Sequence, residues 1–443
     1  MKKRFVAAGA ALLATAFVGQ VASAKSLEDV LKEKGVITEA DYKEVTKVKP
    51  LDYKLGKGFT LTSADEKFQL SIGSQMQIRY TMFDQDRAGN PTSLTGSGDK
   101  SQFQLKRIKL NLNGYAFTKD LTYKVTYSFH NNSLEETFLN YRLIDEAQFR
   151  LGQDKVQFGR QWITPSSQNE FVETTHVTDA FKAGYDSGIS VNGKIAKGLA
   201  YYSIGGYNGA GQNTLRNARD NAFAARAVVN PLGDMAYGEA DVDNSKKPLV
   251  SIGSSFYRNT LNSYEIAVPS ASPAQAGLSN LNFNSSTGWF GIRQNSTVNT
   301  VASGRQITGE AVDFNTAEVD AAFKWRGLFA QAEYFWAQAD GQSTDKIARA
   351  QGYYVQAGYF IIPSKLEVAA RYAYLDPDRD VSNDLWVETA GAVSWYFNKH
   401  NLKIQADCTS IHKQGRIAST GASATNTRAT DDLQARVQAQ LLF

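Results

Sequence analysis

Residues 432–443 read Asp-Leu-Gln-Ala-Arg-Val-Gln-Ala-Gln-Leu-Leu-Phe. Leu433, Ala435, Val437, Ala439, Leu441 and Phe443 fall on one side of an extended chain, and Asp432, Gln434, Arg436, Gln438 and Gln440 on the other. A repeat of two is that of a β-strand, whose side chains alternate between faces. Phe68, Leu70, Ile72, Met76, Ile78, Tyr80 and Met82 alternate in the same way with Gln69, Ser71, Gln75, Gln77, Arg79 and Thr81. Working outward, the pattern predicts sixteen strands near 68–82, 105–117, 121–129, 137–143, 147–156, 185–195, 199–207, 222–230, 249–257, 314–325, 328–338, 351–361, 366–375, 385–397, 402–411 and 432–443. Lys106 is out of phase, which points to a bulge in the second strand.

The connections alternate in length. Tight turns at 118–120, 144–146, 196–198, 326–327, 362–365 and 398–401 are separated by long polar segments at 83–104, 157–184, 208–221, 258–313, 376–384 and 412–431. One turn, 231–248, is longer than this rule allows. A soluble sandwich or propeller would also alternate. Tyr353, Val355, Ala357 and Tyr359 share a face, however, as do Leu366, Val368, Ala370, Tyr372 and Tyr374, and Trp395 and Phe397 close another strand. Aromatic residues near strand ends suit membrane interfaces. The expected fold is an all-β transmembrane antiparallel barrel of about sixteen strands over residues 58–443, in a bacterial outer membrane.

Composition agrees. Of 443 residues, 42% are hydrophobic, mean hydropathy is −0.37, and no long apolar run follows the N-terminus, which excludes a helical membrane protein. A single Cys excludes a disulfide framework, a four-Cys zinc site and C-x-x-C-H haem attachment. Residues 1–24 carry Lys2-Lys3-Arg4, an apolar stretch and Ala22-Ser23-Ala24, the three parts of a signal peptide. Its removal takes three cations from a formal charge of +4, so a polybasic nucleic-acid surface is not expected. Residues 25–57 read as a helical periplasmic segment, two short helices broken at Gly35 with Thr38 able to cap the second. Whether they plug a pore or extend from it stays open.

Six stretches resemble the phosphate-selective porin O/P family of Gram-negative bacteria. They are LEDVLKEKGVITEADYKEV (27–45), FQLKRIKLNLNGYAFTKDLTYKVTYSF (103–129), FRLGQDKVQFGRQWITPSSQNEFVETT (149–175), DSGISVNGKIAKGLAYYSIGGYNGAGQN (186–213), VVNPLG (228–233) and KPLVSIGSSFY (247–257). The resemblance implies a trimeric outer-membrane channel for passive diffusion of small hydrophilic solutes or anions, phosphate among them. Lipid, lipopolysaccharide and the barrel-assembly machinery are its implied partners, with Phe443 as the assembly signal.

With the apolar set facing lipid, the first eight strands point Arg79, Arg107, Lys109, Lys124, Arg142, Arg150, Lys194 and Arg226 inward, against Asp154 and Asp186. The last eight point Lys324, Arg371, Lys403 and Arg436 inward, against Glu318, Asp320, Glu333, Glu367, Glu388, Asp407 and Asp432. The expectation is a basic wall facing an acidic one, with a field across the pore; randomly charged lumen residues are the alternative. The segment 157–184 is expected to fold inward as a constriction, with Arg160, Glu170, Glu173, His176, Asp179 and Lys182 as its titratable residues and Trp162, Phe171 and Phe181 packing on the wall. An ordinary outer loop is the alternative here. His130, His176, His400 and His412 show no metal spacing, and Cys408 falls on the apolar face. The glycine-rich 206–211 is not a dinucleotide fingerprint. No nucleophile–base pair stands out, so neither an enzyme nor a cofactor site is expected. A structural, adhesive or partner-scaffolding barrel is the competing function.

Overall fold

The computed structural model describes residues 31–36, 38–39, 51–54, 56, 58–84, 99–216, 219–261, 311–343, 347–377, 379, 384–414, 417–418, 425–426 and 429–443. The signal sequence at 1–24, most of the 25–57 segment and much of the long segments 83–104, 258–313, 376–384 and 412–431 lie outside the described residues. The chain divides into two units, Met1–Lys49 and Pro50–Phe443. In the first, a helical turn at 31–33 ends at Gly35, whose φ of 68° is the left-handed conformation that glycine adopts freely.

Twenty strands lie among the described residues of the second unit: β1 (Leu51–Lys54), β2 (Gly58–Thr62), β3 (Phe68–Asp84), β4 (Lys100–Ala116), β5 (Thr118–Ser128), β6 (Ser133–Ile144), β7 (Ala147–Lys155), β8 (Tyr185–Ile195), β9 (Ala200–Tyr207), β10 (Ala222–Val229), β11 (Leu249–Leu261), β12 (Val312–Trp325), β13 (Leu328–Gly341), β14 (Ile347–Ile362), β15 (Leu366–Asp376), β16 (Trp386–Asn398), β17 (Leu402–Lys413), the two-residue β18 (Ile417–Ala418) and β19 (Thr425–Asn426), and β20 (Thr430–Leu442). Strands β3 to β17 pair in chain order, each antiparallel to the next, and β20 pairs with both β17 and β3. The result is a closed sixteen-stranded barrel, in which no backbone edge meets lipid.

The alternation sorts as expected. Leu139, Leu151, Val355, Tyr359 and Val437 are exposed on the outside, whereas Gln77, Gln331, Gln405 and Gln438 are buried within. Tyr353 and Tyr374 stack outside at 5.4 Å between ring centroids near the long-loop rim, and Trp395 and Phe397 lie 6.3 Å apart near the other. Turns at that other rim are tight. Arg326 and Gly327 alone join β12 to β13, both with positive φ (49° and 84°), which matches the right-handed twist of the flanking strands.

One element departs from expectation. Residues 51–54, placed in the helical segment by sequence, form β1, which pairs with β2. The C-terminal Phe443 exchanges two backbone hydrogen bonds with Ser74 (2.6 and 3.2 Å), and just beyond it β2 takes over the edge of β3 at Ile72. The β1–β2 hairpin therefore extends the wall past the chain's end. Four residues are too few for a period of two to stand out.

Among the described residues, two segments enter the lumen. One joins β7 to β8 and carries α1 (Arg160–Ile163) and α2 (His176–Phe181); α2 starts at Thr175, whose hydroxyl accepts from the Thr178 N–H. Its underside forms an apolar core inside the barrel, where Val156, Phe158, Val177 and Phe181 pack on Phe335, Ala337, Tyr354 and Leu375. Burying each large side chain there contributes about 1.5–3 kcal/mol, enough to hold the segment inside. The second segment is the long turn at 231–248. It enters from the opposite rim, with Met235, Glu239, Ala240 and Asp241 buried.

Candidate functional site

Two bulges shape the open side of the lumen. Gln77 pairs with Arg107 and the next residue, Ile78, with Leu105, leaving Lys106 as the extra residue in β4. Both Lys106 and Arg107 then reach one carboxylate, Glu173 on the inward segment, at 3.5 and 2.9 Å. Across β5, Val125 pairs with Thr137 and Tyr127 with Leu134, so Glu135 and Glu136 together oppose Thr126. Glu135 takes Lys109, and Glu136 takes Lys124 at 2.5 Å. A bulge turns consecutive residues to one face, and each one here places a pair of like charges on the channel wall.

These residues line a cavity of about 1150 Å³. It runs from Gln69, Ser71 and Phe443 at the tight-turn rim to Ser128, His130 and Asn131 at the other. Trp162, Thr174, Asp179 and Lys182 of the inward segment form its opposite side. Lys155 donates to the Trp162 and Thr164 carbonyls at 2.7 and 3.1 Å and stands 4.7 Å from the Trp162 ring. These contacts tie the start of the segment to β7.

The far side of the segment is sewn to the rest of the barrel through its backbone. Glu333 accepts the N–H groups of Arg160 (2.8 Å) and Gln161 (2.5 Å), Asp407 that of Val172 (3.0 Å) and Glu388 that of His176 (3.1 Å). In return Lys403 donates to the Asn169 carbonyl (2.8 Å), Arg371 to that of Glu173 (2.8 Å) and Gln440 to that of Ser167 (2.9 Å). A segment with only two short α-helices leaves most of its buried backbone to be satisfied in this way.

A closed sixteen-stranded barrel, polar within and narrowed by an inward segment, is the architecture of a diffusion channel. The family of phosphate-selective porins O and P matches residues 70–255 and 289–443. The chain belongs to this porin family. An uncharacterized protein of Aquifex aeolicus is 24% identical over 449 residues, spanning 91% of this porin and 92% of its own length. Among solved structures, an anion-selective porin from Comamonas acidovorans superposes with a TM-score of 0.52 at 10% identity, over 84% of this chain and 99% of its own. The outer-membrane channel DcaP of Acinetobacter baumannii gives 0.51 at 11% identity, over 87% and 100%. OmpT of Vibrio cholerae gives 0.50 at 10%, over 86% and 99%. At such identities the likeness is one of fold. The porin is an outer-membrane β-barrel channel protein.

Within the porin, the expected walls are rearranged. Arg107, Lys109 and Lys124 stand on the cavity. Arg79 points inward one layer behind, on Glu173 at 2.6 Å and buried. Arg226 is buried between Glu318 (3.1 Å) and Asp320 (2.6 Å), and Arg150 pairs with Asp154 beside Phe138. Arg142 and Lys194 sit at the tight-turn rim with Asp120 (2.6 Å) and Asp234 (2.5 Å). The acidic wall does not face an open channel: Glu318, Asp320, Glu333, Glu367 and Glu388 are all buried where the inward segment covers them, and of these five only Glu388 touches the cavity. Instead of an open lumen, these carboxylates meet donors: Glu333 and Glu388 accept from the segment, Glu318 and Asp320 from Arg226, Glu388 also from Arg371, and Glu367 from the Tyr396 hydroxyl.

The segment's own residues divide by face. Glu173, His176, Asp179 and Lys182 border the cavity. Arg160 and Glu170 do not: Arg160 is fully buried, 3.6 Å from Asp320 and 2.9 Å from Ser251. Burial, with Glu367 and Glu239 adding like charge, pushes the Glu170 carboxyl well above its ordinary range. For Glu173, burial opposes ionisation, but Arg107, Arg79 and Lys106 outweigh it and hold the carboxyl well below that range. Strict alternation missed Glu135, Glu136, Lys155 and Glu239. Two consecutive glutamates at a strand start were the visible sign of the first two.

Proposed function

We propose that this porin passes small hydrophilic solutes with a modest preference for anions, along the half of the lumen bounded by β3 to β7. The observation that carries the reading is the paired Lys106 and Arg107 on the open wall, continued by Lys109 and Lys124. Among the described residues around the cavity, eight Lys or Arg side chains stand against six Asp or Glu. That excess favours anions, as cationic rings do in anion pores. It is small because Glu173, Glu135 and Glu136 partner the cations, so tight capture of phosphate is not part of the reading. The likeness in fold to the anion-selective porin from Comamonas acidovorans is in keeping with it.

A homotrimer, a cleaved leader at 1–24, a periplasmic 25–49, contact with lipopolysaccharide and recognition of Phe443 by the barrel-assembly machinery complete the proposal. Reconstitution in planar bilayers under a salt gradient tests the central part. The expected reversal potential has the sign of anion preference, and added phosphate lowers chloride current only at high concentration. Folded protein without conductance would overturn the channel; a reversal potential of cation sign would overturn the preference.

A further inference from the structure

We propose that the long turn 231–248 is an internal support for the inward segment, and that Glu239 is the positioning residue by which it holds that segment and so fixes the channel's width. This deepens the channel reading and rests on it. The turn enters from the tight-turn rim, opposite to the segment, and the two meet inside the barrel. Glu239 is fully buried. One of its oxygens accepts from the Gln161 side chain at 3.0 Å and the other from the Glu170 N–H at 2.7 Å, while its own N–H donates to the Gln168 carbonyl at 2.9 Å. A single residue thus grips the segment at three points spanning α1 and the stretch that leads to Glu173. Tyr237 adds a fourth hold, its carbonyl accepting from Thr164 at 3.2 Å.

The turn is itself fixed to the barrel. Asp241 accepts from the Gly327 N–H at 2.8 Å, Lys324 donates to the Gly238 carbonyl, and Asp243 pairs with Lys399. A rigid support gripping a segment that borders the cavity is a positioning device. Loss of the grip should let the segment move without opening the barrel wall.

The test is single-channel recording of Glu239→Ala and Glu239→Gln porin, with heat-modifiable electrophoretic mobility confirming a folded barrel. We expect Glu239→Ala to raise conductance at least about twofold, with noisier current and weaker ion preference, and Glu239→Gln to lie between it and the native protein. A Cβ built on Gly238 would lie 3.5 Å from that of Gln168, within the range of about 3.5–4.5 Å that a disulfide spans. Gly238→Cys with Gln168→Cys, in a Cys408→Ala background, should cross-link on oxidation. In the Glu239→Ala protein the oxidised bridge should restore native conductance, and reduction should abolish the rescue. A folded Glu239→Ala protein with native conductance and reversal potential would overturn the inference while leaving the channel reading intact, as would failure of the cysteines to cross-link in otherwise native protein. Absence of conductance in the native protein would overturn the channel reading instead.

Discussion

Glu173 faces Arg79, Arg107 and Lys106 at once, and neutralising it should change conduction more than removing any one of them. Glu173→Gln is expected to strengthen anion preference in dilute salt, read as a larger reversal potential; an unchanged potential would show that the carboxylate does not reach the ion path. Because its folded pKa is depressed, its stabilising contribution is complete above the ordinary value of about 4.3, declines as pH falls from there and is lost once pH has fallen through the lowered value. Glu170 behaves oppositely. Its folded pKa is raised, so the unfolded chain releases a proton that the folded chain keeps, and stability falls as pH rises from about 4.3 toward the raised value, at up to about 1.4 kcal/mol per pH unit. Glu170→Gln should flatten that decline in thermal unfolding measured across pH; an undiminished slope would assign it to other groups. Glu173 and Glu170 were both candidates from sequence, but only their neighbours reveal that one serves the channel and the other the packing beneath it.

At the scale of elements, the bulge in β4 decides what the channel wall presents. Deleting Lys106 would restore plain alternation between Leu105 and Arg107, so the barrel should fold in normal yield while anion preference drops; a collapse in folded yield would mean that the bulge sets the pairing of β3 with β4. The sixteen strands were legible because each repeats an apolar and a polar face over eight residues or more. A bulge is nearly invisible to that reading, since two consecutive inward charges look like an error of phase, and only Lys106 betrayed itself so. The turn 231–248 was visible as a length and nothing else. Its anchor, Glu239, finds its side-chain partners 69 to 92 residues away, beyond the reach of any local pattern.

For the whole molecule, the two described insertions, from opposite rims, occupy one side of the lumen and leave the other side open. Charges on that open side meet water, so their influence should shrink as the screening length falls from about 10 Å at 0.1 M salt to about 3 Å at 1 M. The reversal potential at a fixed concentration ratio should therefore decline with total salt; constancy would place the selectivity in a desolvated site. The sewing of the segment to the barrel has a separate consequence for change over time. Glu333, Asp407, Glu388 and Glu239 hold main-chain amides, and an amide is the same whichever side chain its residue bears. The barrel is thus a socket that accepts a path of backbone rather than a particular sequence. Side chains on the cavity face of that path can be exchanged, by mutation or by grafting from a relative, and a new solute preference can arise on an unchanged frame.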